Sequence, residues 1–205
     1  TLTKHIPILP MLPDPIKKFI DLFATLPGIG PRQATRLAFH IKNQGQQAVD
    51  EFVKAITGLK DIKTCGQCFA SYKQSERPEF HPSAQNVCRL CANPQRNLKL
   101  VAVVEKETDL ISLEKTRKFS GRYLVLGELP KDGILSALQK ARLKTIKDAE
   151  EIVVALNPTT YGDLNAALVI QELKGAAQKI TRLGRGIPTG GEIEFADEAT
   201  LGAAL

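Results

Sequence analysis

The 205-residue chain is 43% apolar and 24% charged, ordinary globular values that exclude wholesale disorder. No apolar run approaches the roughly 18 residues of a membrane-crossing helix, and the opening TLTKHIPILPMLPDP has too many prolines for a signal peptide, so the cytosol is the expected compartment. The net charge of +6 is unevenly placed: residues 1–97 hold 13 Lys and Arg against 7 Asp and Glu, whereas residues 98–205 hold 15 of each. A basic excess confined to the first half makes nucleic acid the first expected partner. From Pro13 to Leu26, Ile16, Phe19, Ile20, Phe23 and Leu26 fall at helical spacing, with Asp14 as expected N-cap and Pro15 in the first turn. Pro27-Gly28 stops that helix. A second helix is expected from Pro31, with Ala34, Leu37, Ala38 and Ile41 on one face. A third runs from Gln46 to Ile56, with Val49, Phe52, Val53 and Ile56 inward.

Periodicity fades between Ile62 and Asn97, and then strands and helices alternate. LKLVAVVE, GRYLVLG and EEIVVAL read as strands. TDLISLEKT, DGILSALQKARLKTI and GDLNAALVIQELKGAAQ read as helices. That order predicts a parallel sheet with helices on both faces. The remainder, from Lys179, reads as a short strand, a Gly/Arg loop, another short strand and a last helix. The expected fold is therefore α/β and multi-domain. The division is residues 1–60 helical, 61–97 a cysteine module, 98–178 the parallel sheet and 179–205 a terminal segment.

All four cysteines fall in two pairs, Cys65-x2-Cys68 and Cys88-x2-Cys91. Tetrahedral zinc takes four thiolates about 2.3 Å away, and a two-residue gap lets one turn present two of them. Two disulfides or four reduced core thiols are the alternatives, and the first suits a cytosolic chain poorly. A closed shell of four cysteines leaves no open position, so such a metal is structural, and stripping it unfolds its segment. His81, between the pairs, reads as an exposed loop residue.

Leu26-Pro27-Gly28-Ile29-Gly30-Pro31-Arg32 joins two expected helices. Its glycines permit a tight turn and close backbone approach, and the second helix offers free N–H groups at its positive end. Arg32 and Arg36, four residues apart, share one face. The hairpin reads as a contact to nucleic-acid backbone, with little sequence specificity. A plain helical hairpin is the bland alternative. A dinucleotide fingerprint starting at Gly28 and Gly30 lacks its preceding strand and has Gln33 where the third glycine belongs. In the second half, Glu105 ends a strand and Asp163 opens a helix, where ligands gather in open sheets. Two acids are thin for a two-metal site, and no P-loop is present. His40 reads as a surface or packed histidine.

The order of LPGIGPRQATRLAFHI, two CxxC pairs, VAVVEKETDLISLEKTRKFSGRYLVL, ALNPTTYGD and GIPTGGEIEFADEATLGAAL resembles the RecR family of bacterial recombination mediators over nearly the whole chain. The resemblance implies a helix-hairpin-helix, a four-cysteine zinc finger and a Toprim domain, in a non-enzymatic clamp built as a tetrameric ring. It implies DNA as partner, single-stranded, double-stranded or gapped. It also implies work with RecO, and in many bacteria RecF, to load RecA onto gapped strands. DNA-contacting positions then map to Gly28, Gly30, Arg32 and Arg36, zinc ligands to Cys65, Cys68, Cys88 and Cys91, and the Toprim glutamate to Glu105, near the surface used for RecO. Tyr161 stands where the family often has an acid. The alternative reading is a Mg-dependent Toprim nuclease or primase-like enzyme using Glu105 and Asp163. A further one is a zinc-ribbon adaptor that binds only protein.

Overall fold

In the computed structural model, residues 12–74, 86–187 and 189–204 are described, and the chain divides into two compact units, Thr1–Asp61 and Ile62–Leu205. His5 and His81 lie outside the described residues.

The first unit holds three helices, α1 (Asp14–Phe23), α2 (Pro31–Asn43) and α3 (Gln46–Gly58). Pro13 rather than Asp14 occupies the N-cap of α1, and Asp14 instead pairs with Lys17 at 3.2 Å, one turn on. The helix stops at Phe23, short of Leu26, because Ala24–Leu26 wind into bonds such as Leu26 N–H to Phe23 C=O, 3.1 Å. The core closes on Ile20, Ala34 and Ala38, with Ile16, Phe19, Phe23 and Ile29 packed around them. Phe19 and Phe23, four residues apart, stack with centroids 3.9 Å apart. Ala34 and Ala38 are small enough to let the two helices approach closely. In α3 the expected inward face is not buried: Phe52, Val53 and Ile56 are 45, 57 and 54% exposed. The core is already complete on the α1–α2 pair.

The second unit starts with a two-stranded antiparallel sheet, β1 (Ile62–Thr64) and β2 (Ser71–Lys73), that frames the first cysteine turn. There follow β3 (Asn97–Val104), α4 (Glu107–Lys115), β4 (Gly121–Val125), α5 (Ala137–Leu143), β5 (Ala149–Ala155), α6 (Thr160–Glu172), β6 (Ala177–Arg182) and α7 (Glu198–Ala204). The four strands pair in parallel in the order β4-β3-β5-β6. Val101–Val104 of β3 are all buried, as a continuous apolar run in the middle of a two-faced sheet requires. One core lies around Val101, Val103, Ile152, Val154, Ala166 and Val169. A second lies around Ala102, Val104, Leu110 and Tyr123 and includes Cys65, Cys68 and Cys88.

Helix starts follow local chemistry. Ser136 caps α5 in a reciprocal box with Gln139: Gln139 N–H donates to Ser136 Oγ at 3.3 Å, and Ser136 N–H donates to Gln139 Oε1 at 2.8 Å. The helix is therefore shorter than the expected 132–146. α6 ends at Glu172, not near residue 178, because the chain reverses at Gly175 (φ +84°) and β6 begins two residues later. β6 belongs to the main sheet. The expected second terminal strand is instead a 3-10 turn at Ile193–Phe195, followed by α7.

Candidate functional site

Three constellations carry the chemistry that the sequence reading singled out. At the hairpin, Ile29 N–H donates to Leu26 C=O at 3.1 Å, Pro27 occupies the second position and Gly28 has φ +78°. That is the signature of a type II turn, whose third position admits glycine at no steric cost. Gly30 differs from expectation: it is the extended N-cap of α2, a conformation open to any residue, and a Cβ there would meet nothing within 4 Å. Pro31 lacks an N–H, so the free donors of the first turn begin at Arg32. Arg32 and Arg36 are both exposed and make no ion pair among the described residues. A ready cation pair thus stands beside the positive end of a 13-residue helix.

The four cysteine Sγ atoms lie within 4.8 Å of one another, the one group of three or more metal-ligating side chains that converges among the described residues. The first turn is tied at both ends. Cys65 N–H donates to Ala70 C=O at 2.8 Å, and Phe69 N–H donates to Cys65 C=O at 3.1 Å, with Phe69 in the left-handed region (φ +62°). Backbone N–H groups of Cys88 and Gln67 reach Cys65 Sγ at 3.3 and 3.5 Å. Such donors favour the thiolate over the thiol. Cys68 Sγ and Cys88 Sγ are 3.5 Å apart, far from the ~2.05 Å of a disulfide. Four thiolates about 2.3 Å from one ion would stand about 3.8 Å apart, so the donor set fits a tetrahedral metal. Without a cation the cluster is at odds with itself. Hydrogen bonds from Cys68, and then from Cys88 and Cys91, hold Cys65 far below the ordinary thiol value, while bonding to Cys65 pushes Cys68 and Cys91 up. A central positive charge is what lets all four ionise together.

This module is anchored to the sheet. Val125 N–H of β4 donates to Cys68 C=O at 2.8 Å, and Phe69 lies under the Arg142 guanidinium, 4.8 Å from ring centroid to Cζ. Arg142 also donates to Val125 C=O at 3.1 Å. Nearby, Arg96 bridges Gly121 C=O and Glu114 and sits over the Tyr123 ring, whose hydroxyl donates to Glu114 at 2.8 Å. Burial, and then Glu114, pushes the Tyr123 hydroxyl up. The sequence reading missed Phe69, Arg96, Arg142 and this network; isolated arginines in a stretch without periodicity carry no signal of what they will stack on.

At the carboxyl ends of the strands the acids do not converge. Glu105 follows β3, where strand order reverses toward β4 on one side and β5 on the other. Its side chain is 15% exposed, accepts from Leu129 N–H at 3.3 Å and lies 3.9 Å from Lys106 Nζ. Asp163, in the first turn of α6, is held by both Arg182 and Arg185. Arg182, and then Arg185, keeps its carboxyl below the usual value. Neither acid belongs to a metal-ligating group of three among the described residues. Tyr161 is 55% exposed. His40 is exposed and bonds Gln44 at 3.0 Å, as a surface histidine does.

Comparison with known proteins covers most of the chain. The family description "RecR, helix-hairpin-helix" matches residues 16–59, "Toprim domain" matches residues 99–184 and "RecR, C-terminal" matches residues 186–205. A protein named recombination protein RecR from Anaeromyxobacter sp. is 39% identical over 199 residues, 94% of this chain and 95% of its own. Another of the same name from Herpetosiphon aurantiacus is 36% identical over 202 residues, 94% of this chain and 93% of its own. A third, from Parasynechococcus marenigrum, is 39% identical over 196 residues, 92% of this chain and 95% of its own.

Proposed function

Because the chain belongs to the RecR family of recombination proteins, we propose that it is a non-enzymatic DNA-binding clamp of recombinational repair. In this reading it acts with RecO, and with RecF where present, to promote RecA loading on gapped single-stranded DNA. The observation that carries the reading is the exposed Arg32 and Arg36 at the head of α2, behind the type II turn and without an ion pair among the described residues. Gly28 sets the turn and Gly30 leaves the backbone open, so that phosphates meet N–H groups and both guanidiniums. Such contacts fix position on the strand and leave base sequence unread.

Zn²⁺ held by Cys65, Cys68, Cys88 and Cys91 is the proposed cofactor, and its role is structural. The ion would supply the charge that keeps four neighbouring thiolates together. Glu105 is the proposed partner-facing acid of the Toprim region, at the surface for RecO. The expected division into residues 1–60, 61–97, 98–178 and 179–205 is kept with its last boundary moved past Arg182, since β6 pairs with β5 in the main sheet; the segment beyond serves assembly into a tetrameric ring in the cytoplasm. The capture of Asp163 by two arginines supports the absence of phosphoryl-transfer chemistry, since a carboxylate so engaged is a poor Mg²⁺ ligand.

The test is binding to a labelled gapped duplex with Mg²⁺, titrated over salt, each sample then run on a denaturing gel. Salt-sensitive binding with intact strands is expected. The Arg32→Ala/Arg36→Ala double variant should weaken binding on every sequence and lower the log–log salt slope by about 0.9 per lost duplex phosphate contact. Unchanged affinity would remove the hairpin from the DNA surface. Strands cut in a Glu105-dependent way would replace the clamp reading with the Toprim enzyme.

A further inference from the structure

We propose that the groove between β2, the Cys88 turn and α4 docks an acidic peptide segment bearing aliphatic side chains, presented by a protein partner. The groove has a volume of about 510 Å³, within the range of sites that hold side chains or small ligands. Leu90, Leu110 and Ile111 line its apolar part, with Leu110 buried and Ile111 49% exposed. Water over such a floor is readily displaced by aliphatic groups.

The charge of the groove is net positive once its internal pairs are counted. Glu107 accepts from Ser71 Oγ at 2.8 Å. Glu114 is held by Arg96 and accepts from the Tyr123 hydroxyl at 2.8 Å. Glu114 is thus neutralised by Arg96, whereas the Ser71 hydroxyl orients Glu107 and leaves its charge in place. Lys73, Arg89 and Lys115 line the same groove and are exposed, and their side chains have no ion pair or hydrogen bond among the described residues. An apolar floor under three cations, set against the single unneutralised carboxylate of Glu107, is net positive and complementary to carboxylates flanking aliphatic side chains. Nucleic acid fits less well. Single strands bind on exposed aromatic platforms, whereas the one ring lining this groove among the described residues, Tyr72, is 8% exposed. A second copy of the chain would arrive with its own charge of +6.

Fluorescein-labelled peptides that alternate Asp or Glu with Leu provide the probe, titrated with the full metal-loaded chain and followed by anisotropy at low and high salt. Saturable binding is expected, tighter than about 1 mM and weaker at high salt. Arg89→Glu with Lys115→Glu, and separately Ile111→Asp, should each weaken it about tenfold. Arg32→Ala with Arg36→Ala should leave it unchanged, which separates this groove from the DNA reading. Each variant is admitted only with wild-type metal content and thermal unfolding. If Ile111→Asp fails that check, Lys73→Glu on the opposite wall takes its place. No saturation by about 1 mM, or binding indifferent to all groove variants, overturns the proposal. Displacement of the peptide by equimolar oligothymidine overturns it in favour of nucleic acid. A change in sedimentation caused by the groove variants, without any effect on peptide, assigns the face to a second copy instead.

Discussion

A methyl group at position 162 would lie 1.9 Å from the Asn157 carbonyl oxygen and 3.1 Å from Thr159 Oγ1, the atom that caps α6. The Asn157 backbone cannot yield easily and the Thr159 hydroxyl is held as the cap, so Gly162→Ala should cost about 2 kcal/mol, in the range of overpacked cores. For a chain of this size that is a fall of roughly 4–8 °C in Tm, read by calorimetry. Its place after a strand and family resemblance both point to ALNPTTYGD, but nothing in the spacing of that stretch announces a carbonyl folded back on its glycine. Asp163, the next residue, offers a second test. Its carboxyl is held below its ordinary value of 3.8 by Arg182 and then Arg185, so the folded chain binds that proton less readily than the unfolded one. The stabilisation is therefore present above about pH 4 and is lost as pH falls through the lowered value. Asp163→Asn should lack this portion of the acid limb, so wild type and variant should converge in stability below pH 4, by urea unfolding across pH. The pair is partly exposed, and salt should shrink the difference.

Among the elements, those with strong periodicity or unbroken apolar runs are legible. β3, β4 and β5 fall within one or two residues of LKLVAVVE, GRYLVLG and EEIVVAL, because a strand buried on both faces has no polar interruption to blur it. The apolar pattern makes α5 too long, although Ser136-x-x-Gln139 is a capping box visible in the sequence and marks its start. The 3-10 turn at Ile193–Phe195 passes for a strand because a three-residue apolar alternation suits both, and only pairing separates them. In α3 the amphipathic stripe is a true stripe, but an apolar face says only that it wants cover. The cysteine module is legible from spacing alone, whereas its bond to β4 is not. That bond makes a prediction. Removal of the proposed Zn²⁺ by chelation, or by Cys88→Ser, should release Cys68 C=O from Val125 N–H. In hydrogen exchange monitored by NMR, Val125 should lose protection along with Cys65 and Phe69, while Ile20 and Ala38 keep theirs. Uniform loss across both units would show instead that the metal holds the chain as one cooperative block.

At the level of the whole molecule, the excess of positive charge sits in residues 1–97 and residues 98–205 are neutral. DNA affinity should follow that division. Charge reversal at exposed Lys147 should change binding to a gapped duplex less than about twofold, whereas loss of Arg32 and Arg36 should dominate the salt dependence, both read by anisotropy. Charge asymmetry of this kind is visible in the amino-acid sequence, and so is the hairpin that carries two of its arginines. The net positive groove beside α4 is not visible, because it arises only when Lys73, Arg89 and Lys115 are gathered from three separate stretches and Glu114 is neutralised by Arg96. The bond from Val125 to Cys68 has one more consequence. β4 is an outer strand of the sheet, and an outer strand with free N–H groups is a template on which another polypeptide can add. The cysteine turn occupies part of that template. A chain whose cysteine turn came loose would thus present a bare sheet margin to its neighbours, and self-association through that margin is the expected failure.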